Sequence, residues 1–256
     1  MYVREKAGAS IGRQMAAGKE RDATMRIGRY GRYGFSTAYC KLLPALLLAA
    51  ALAFAPGMAQ AGERAITIVA LGDSLTAGYL LGPGEDFATR LERALAAAGH
   101  ENVKIANAGV SGDTTAGGLA RLDWAVGPDA DAVIVELGAN DALRAIDPEV
   151  TRANLDAIVT RLKARGLPVL LAGMLAPPNL GGEYGEAFNP IYAELAAEHG
   201  LILYPFFLDG VAAERHLNLG DGIHPTAEGV GVIVERILPK VEALIAEVGA
   251  EDATVN

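Results

Sequence analysis

The chain is poor in the residues that carry redox, metal and aromatic chemistry. It holds one cysteine, Cys40, one tryptophan, Trp124, and four histidines, His100, His199, His216 and His224. Beyond residue 61 there is no thiol, which excludes a disulfide framework, a cysteine nucleophile and a thiolate metal site there. Cys40 precedes an apolar run instead of following it, so it does not occupy a lipoprotein position. No His-Glu-x-x-His pair or other metal-ligand cluster is present, and Gly82-Pro83-Gly84 does not fit a phosphate-binding glycine loop. Neither a metal nor another cofactor is expected. The one extended apolar run, Leu42 to Pro56, falls short of the ~20 residues a membrane-spanning helix needs. Positive charge is scarce as well. Of 22 basic and 31 acidic residues, nine and three fall in residues 1–61, leaving 13 and 28 beyond them, a net charge of −15. Such a balance disfavours nucleic acid, anionic membrane surfaces and polyanionic ligands.

What is present divides at residue 61. Basic residues precede the Leu42 to Pro56 run, and Ala59-Gln60-Ala61 follows it. Those are the three parts of a secretory signal peptide. Residues 1–61 are therefore read as a signal peptide with an extended basic leader, and translation from Met25 would give a more ordinary length. Cleavage after Ala61 would leave one domain, 62–256, periplasmic or secreted and without a permanent membrane anchor. An uncleaved anchor is the alternative.

Within 62–256, apolar β-branched runs alternate with helical patterns. Strands are expected at Ile66 to Leu71, Val103 to Asn107, Ala132 to Leu137, Pro168 to Leu175 and Leu201 to Phe206. Helices are expected from about Glu85 to Gly99, up to about Val126, from Pro148 to Gly166 and from about Glu186 to His199. A long last helix is expected to be kinked or divided by Pro239, with a frayed tail after Gly249. Five alternations predict an α/β fold: a three-layer α/β/α sandwich around a five-stranded parallel sheet.

The polar residues cluster where strands end. Ser74 follows the first strand, Gly109 the second, Asn140 the third, and Asp221 and His224 lie in the last loop. In a parallel sheet those ends share one edge, where ligands bind. Taken alone, Ser74 is either a nucleophile or a helix cap. Gly72-Asp-Ser-Leu-Thr76 fails the Gly-x-Ser-x-Gly elbow of α/β-hydrolases at its last position. Asp113 and Thr114 look like a helix start, and Asp73 like a loop hydrogen-bonding residue. His216, the rival base, has no acidic residue three positions before it.

Four blocks, Gly72-Asp73-Ser74-Leu75, Gly109 in Asn-Ala-Gly-Val-Ser-Gly, Gly138-Ala139-Asn140-Asp141 and Asp221-Gly-Ile-His224-Pro225, appear in order. On these residues the chain resembles the SGNH (GDSL) hydrolases, with their flavodoxin-like sheet. Ala139 to Leu143, Pro177-Pro178-Asn179, Glu186-Ala187-Phe188 and Pro205-Phe206-Phe207 are similar to its periplasmic acyl-CoA thioesterase I, lysophospholipase and arylesterase group. The resemblance implies Ser74 as nucleophile, His224 as general base and Asp221 as its orienting acid. It implies an oxyanion hole of the Ser74 and Gly109 N–H groups and the Asn140 amide. A small-molecule ester or thioester with an acyl chain is the implied substrate, and a monomer is expected.

Leu143, Ile146, Leu175, Pro177, Pro178, Leu180 and Ile223 either wall an acyl groove or pack under the loops, and Asp141 is placed with them at the substrate site. A carbohydrate O-acetyl esterase on the same fold and a non-catalytic exported binding protein are the other readings. The first would need aromatic platforms, and the second is disfavoured by an intact Ser74, Asp221 and His224.

Overall fold

The structure, a computed structural model, describes residues 64–255. The leader 1–61, with Cys40, the Leu42 to Pro56 run and the Ala59 to Ala61 site, lies outside the described residues. Five strands form one all-parallel sheet: β1 Ile66–Gly72, β2 Val103–Gly109, β3 Ala132–Glu136, β4 Val169–Ala172 and β5 Ile202–Tyr204. The order across the sheet is β2-β1-β3-β4-β5. All five residues of β3 and all four of β4 are buried, as central strands covered on both faces must be.

Two groups of helices cover the sheet. Phe87–Ala97 packs with the last helix, Ala227–Val255, while Pro148–Ala164 packs with Thr115–Ala120 and Ile191–His199. The apolar stripes that predicted this burial are inside: Leu91 and Leu95, Leu155, Ile158 and Leu162, and Val230, Ile233 and Ile237 are all at most 1 % exposed. Caps agree with the sequence. Asp86 accepts from the Thr89 N–H at 3.0 Å at one helix start, and Thr114 caps another.

Helix boundaries differ from expectation in three places. The segment expected as one helix from Glu186 to His199 is two, Gly182–Phe188 and Ile191–His199, because Pro190 cannot donate to the turn before it. The helix expected to reach Val126 is interrupted at Arg121. Pro239 does not divide the last helix, which continues through it to Val255. Among the described residues no helix is long and apolar enough to cross a membrane.

The register sets up the site. Gly72 pairs with Gly109 on one side and with Glu136 on the other. The carboxyl ends of the three strands therefore stand level. The chain moves from β1 outward to β2, then crosses to β3 on the other side of β1. That reversal opens the crevice in which such sheets bind ligands.

Candidate active site

Ser74 stands at the start of a four-residue helix, Ser74–Ala77, that leaves β1. Asp73 caps it by accepting the Leu75 N–H at 2.9 Å. The Ser74 N–H has no partner among the described residues. Two close approaches require glycine here. A Cβ on Gly72 would lie 2.1 Å from Thr76 Oγ1 and 2.6 Å from Glu136 Oε2. A Cβ on Gly109 would lie 2.3 Å from Ala77 N and 2.8 Å from Asp73 O. Because backbone surrounds position 109, Gly109→Ala is expected to displace the Ser74 helix. Steady-state kinetics should show a loss of about 10²-fold, as for a misplacement near 1 Å, and thermal unfolding should show a lower Tm.

His224 reaches Ser74 across 150 positions of sequence. Its Nε2 is 2.9 Å from Ser74 Oγ and its Nδ1 is 2.7 Å from Asp221 Oδ2. Asp221 carries no proton to give, so Nδ1–H donates and Nε2 is left to accept from the serine. Asp221 Oδ1 also accepts the N–H groups of Ile223 and His224, at 2.9 and 3.1 Å. The Ile223 N–H, then the His224 ring and N–H, push Asp221 down to about 2. The loop is pinned by Leu219 N–H donating to His224 O at 2.7 Å and Thr226 N–H to Leu217 O at 2.8 Å. The Tyr79 ring leans on the imidazole with centroids 4.5 Å apart. His216 lies in the 3₁₀ turn Arg215–Leu217; His224, not His216, reaches the serine.

Asn140 sits in the first turn of Ala139–Leu143, and its Nδ2 donates to Asp73 Oδ2 at 2.9 Å. Gly138, at φ +115°, makes the turn into that helix against the Tyr192 hydroxyl, which donates to Leu137 O at 2.8 Å. The Gly109 N–H does not face the site. It donates to Asn107 Oδ1 at 3.0 Å, closing a local ring, so its expected part in an oxyanion hole is corrected. Three residues on, Gly112 has φ +82°, and its N–H has no partner among the described residues. Arg144 donates to its carbonyl at 2.8 Å. Arg121, missed in the sequence, fastens this loop by donating to Gly72 O, Ala108 O and Asp113 Oδ2.

Asp141 is also corrected. It is fully buried and accepts from the Thr115 N–H at 2.8 Å and the Thr115 hydroxyl at 2.5 Å, so it ties the starts of two helices together and cannot touch a substrate. Leu143, Leu175, Pro177 and Ile223 do line a cavity of about 560 Å³, with Phe206 and Leu208 among its other walls. Ile146 lies outside it, with its carbonyl accepting from the Tyr184 hydroxyl and its N–H donating to Asp141 O. Among the described residues eight large apolar side chains are exposed, and Leu143, Leu175 and Ile223, three of them, line this cavity.

A metal-capable group, Asp156, Glu198 and His199, lies at the other end of the strands, where His199 is bonded to Asp156 and Arg152 pairs with Glu198.

Residues 70–232 match the GDSL-like lipase/acylhydrolase family. The chain is 38 % identical over 202 residues to Esterase TesA of Pseudomonas aeruginosa, covering 78 % of this chain and 99 % of that protein. It is 35 % identical over 180 residues to Thioesterase 1/protease 1/lysophospholipase L1 of Escherichia coli K12, covering 70 % and 85 %. The crystal structure of AlinE4, an esterase of the SGNH-hydrolase family, superposes with a TM-score of 0.60 at 46 % identity, over 70 % of this chain and 96 % of that one.

Proposed function

The chain belongs to the GDSL-like lipase/acylhydrolase family and is an ester hydrolase, and from that premise we propose that it works through an acyl-enzyme on Ser74. The observation that carries this reading is the unbroken line from Asp221 through His224 to Ser74 Oγ, at 2.7 and 2.9 Å. Ser74 Oγ attacks the carbonyl carbon while its proton passes to His224 Nε2, and Asp221 stabilises the imidazolium that forms. The carbonyl π pair moves onto oxygen and is received by the Ser74 N–H and the Asn140 amide. Gly112 N–H supplies the donor expected of Gly109. Collapse of this intermediate breaks the ester bond, and the alcohol leaves with the proton from His224. Water then repeats the cycle. His224 takes its proton, the oxygen attacks the acyl carbon, and Ser74 is restored as the acid departs.

The working substrate is an oxygen ester with an apolar acyl group. The cavity between Leu143, Leu175 and Ile223 supports it, and so does the charge of −15 beyond residue 61, which disfavours a polyanionic coenzyme. A sugar acetyl ester has less support, since Trp124 lies just before β3, away from the strand ends that carry Ser74 and Asn140. The apolar run with Ala59-Gln60-Ala61 supports export, and one chain supplies every group named, which supports a monomer.

A panel of p-nitrophenyl esters tests the substrate. Each methylene buried is worth about 0.8 kcal/mol, so kcat/KM should rise about fourfold per carbon until the cavity is full. Leu175→Asp should flatten that rise while leaving the acetate ester within about threefold of the parent. A large advantage for acyl-CoA over the matching oxygen ester at physiological salt would overturn the preference.

A further inference from the structure

Two carboxyl groups below Ser74 take no part in the proton transfers of acyl transfer. Asp73 is fully buried, with Oδ1 on the Leu75 N–H and Oδ2 on Asn140 Nδ2, both at 2.9 Å. Glu136, at the end of β3, is buried beside it. Its Oε2 accepts the Asp73 N–H at 3.3 Å and the Thr76 hydroxyl at 2.7 Å, and its Oε1 has no partner among the described residues.

We propose that Asp73 is a positioning residue for the oxyanion hole: it takes one of the two Asn140 amide N–H groups and so turns the other toward the carbonyl oxygen of the ester at Ser74. This rests on Asn140 being an oxyanion donor. An asparagine amide can be turned over, putting a carbonyl where a donor is needed. Such a reversal would set oxygen against oxyanion. A carboxylate accepts only, so it admits one face of the amide and rejects the other. The Leu75 N–H fixes the carboxylate itself, leaving Oδ2 for Asn140.

An asparagine at position 73 would lack that selectivity, since it both donates and accepts. The role therefore calls for a charge in a buried place. The groups facing Asp73 are Glu136 from β3, His224 from the last loop and Asp113 from the loop after β2. Burial pushes Asp73 up to about 6, against the pull of the Leu75 N–H, Asn140 and His224. Burial and the Asp73 charge hold Glu136 well above the usual carboxylate range. The pair thus resists holding two charges, and the Leu75 N–H and the Asn140 amide favour the charge on Asp73. A carboxyl raised in this way favours folding most below its unfolded value near 3.8, and that contribution fades as pH climbs toward 6. At neutral pH the Asp73 charge is held at a cost to stability.

A double-mutant cycle on the whole protein decides the matter, with kcat, KM and Tm measured at pH 7 for Asp73→Asn, Asn140→Ala and the pair. Asp73→Asn should lower kcat about ten- to hundredfold, less than loss of the donor itself, with KM within about twofold. Its Tm should equal or exceed that of the parent, because a buried charge is gone. The double variant should fall no further than Asn140→Ala alone, within about threefold, since Asp73 acts only through Asn140. Glu136→Gln, which keeps an acceptor for Asp73 N–H and Thr76, should leave kcat unchanged. Losses that multiply in the double variant, an unchanged kcat in Asp73→Asn, or a Glu136→Gln loss as large as that of Asp73→Asn would each overturn the assignment. An unchanged kcat in Asn140→Ala would instead remove the oxyanion reading beneath it.

Discussion

Ser74→Ala should lose about 10⁶-fold in kcat on every ester tested, the cost of deleting a nucleophile whose partners act only with it. The loss falls on kcat and not on KM, because the hydroxyl makes its bond to the substrate only during reaction. Folding should be spared. The capping bond at this turn belongs to Asp73, whose Oδ1 holds the Leu75 N–H, and the Ser74 carbonyl still accepts from Gly78 and Tyr79. The side chain deleted is small, and the polar partner it leaves, His224 Nε2, sits at the mouth where water can replace it. An organophosphonate gives the sharper readout. It should form one adduct per chain in the parent and none in Ser74→Ala, seen by intact mass. Labelling that persists in the variant would mean that another residue is the nucleophile.

The hydrogen-bonded line from Asp221 through His224 to Ser74 was legible in the sequence because its members sit in short local words after strands or in the last loop, and a parallel sheet brings its carboxyl ends together. Ser74, Asn140, Asp221 and His224 all lie where that reasoning puts them. The misreadings concern directions, which words of sequence do not encode. Asn140 and Asp141 are neighbours, but a helix turns successive residues about 100° apart. Asn140 therefore points to Asp73 while Asp141 points inward to Thr115. Gly109 is expected, from the family resemblance, as an N–H donor to the oxyanion. It permits a close approach of the Ala77 backbone instead, and its N–H is claimed by Asn107 two residues earlier. The buried contact of Asp73 with Glu136 was invisible, since it depends on a register pairing Gly72 with Glu136.

Asp221→Asn should lower kcat about 10⁴-fold at pH 7 with KM little changed. The substitution is nearly isosteric, and an amide oxygen can still accept the Ile223 and His224 N–H groups that hold the turn. What changes is the group facing Nδ1. A carboxylate can only accept, so it keeps the proton on Nδ1 and leaves Nε2 open to the serine. An amide presenting its NH₂ side favours the other tautomer, with the proton on Nε2, and a protonated Nε2 cannot take one from Ser74 Oγ. The imidazolium formed during attack also loses its counter-charge. Asp221→Ala should cost as much in kcat and more in Tm, because the turn then loses its acceptors too. The pH profile separates this acid from the rest of the site. Asp221 stays ionised until pH falls to about 2, so its protonation does not set the acid limb of the parent enzyme. Asp221→Asn should therefore lower the whole kcat profile between pH 4 and 8 without the parent ever reaching that level by acidification in the same range. A variant within tenfold of the parent would mean that His224 is oriented by the Tyr79 ring and the loop alone.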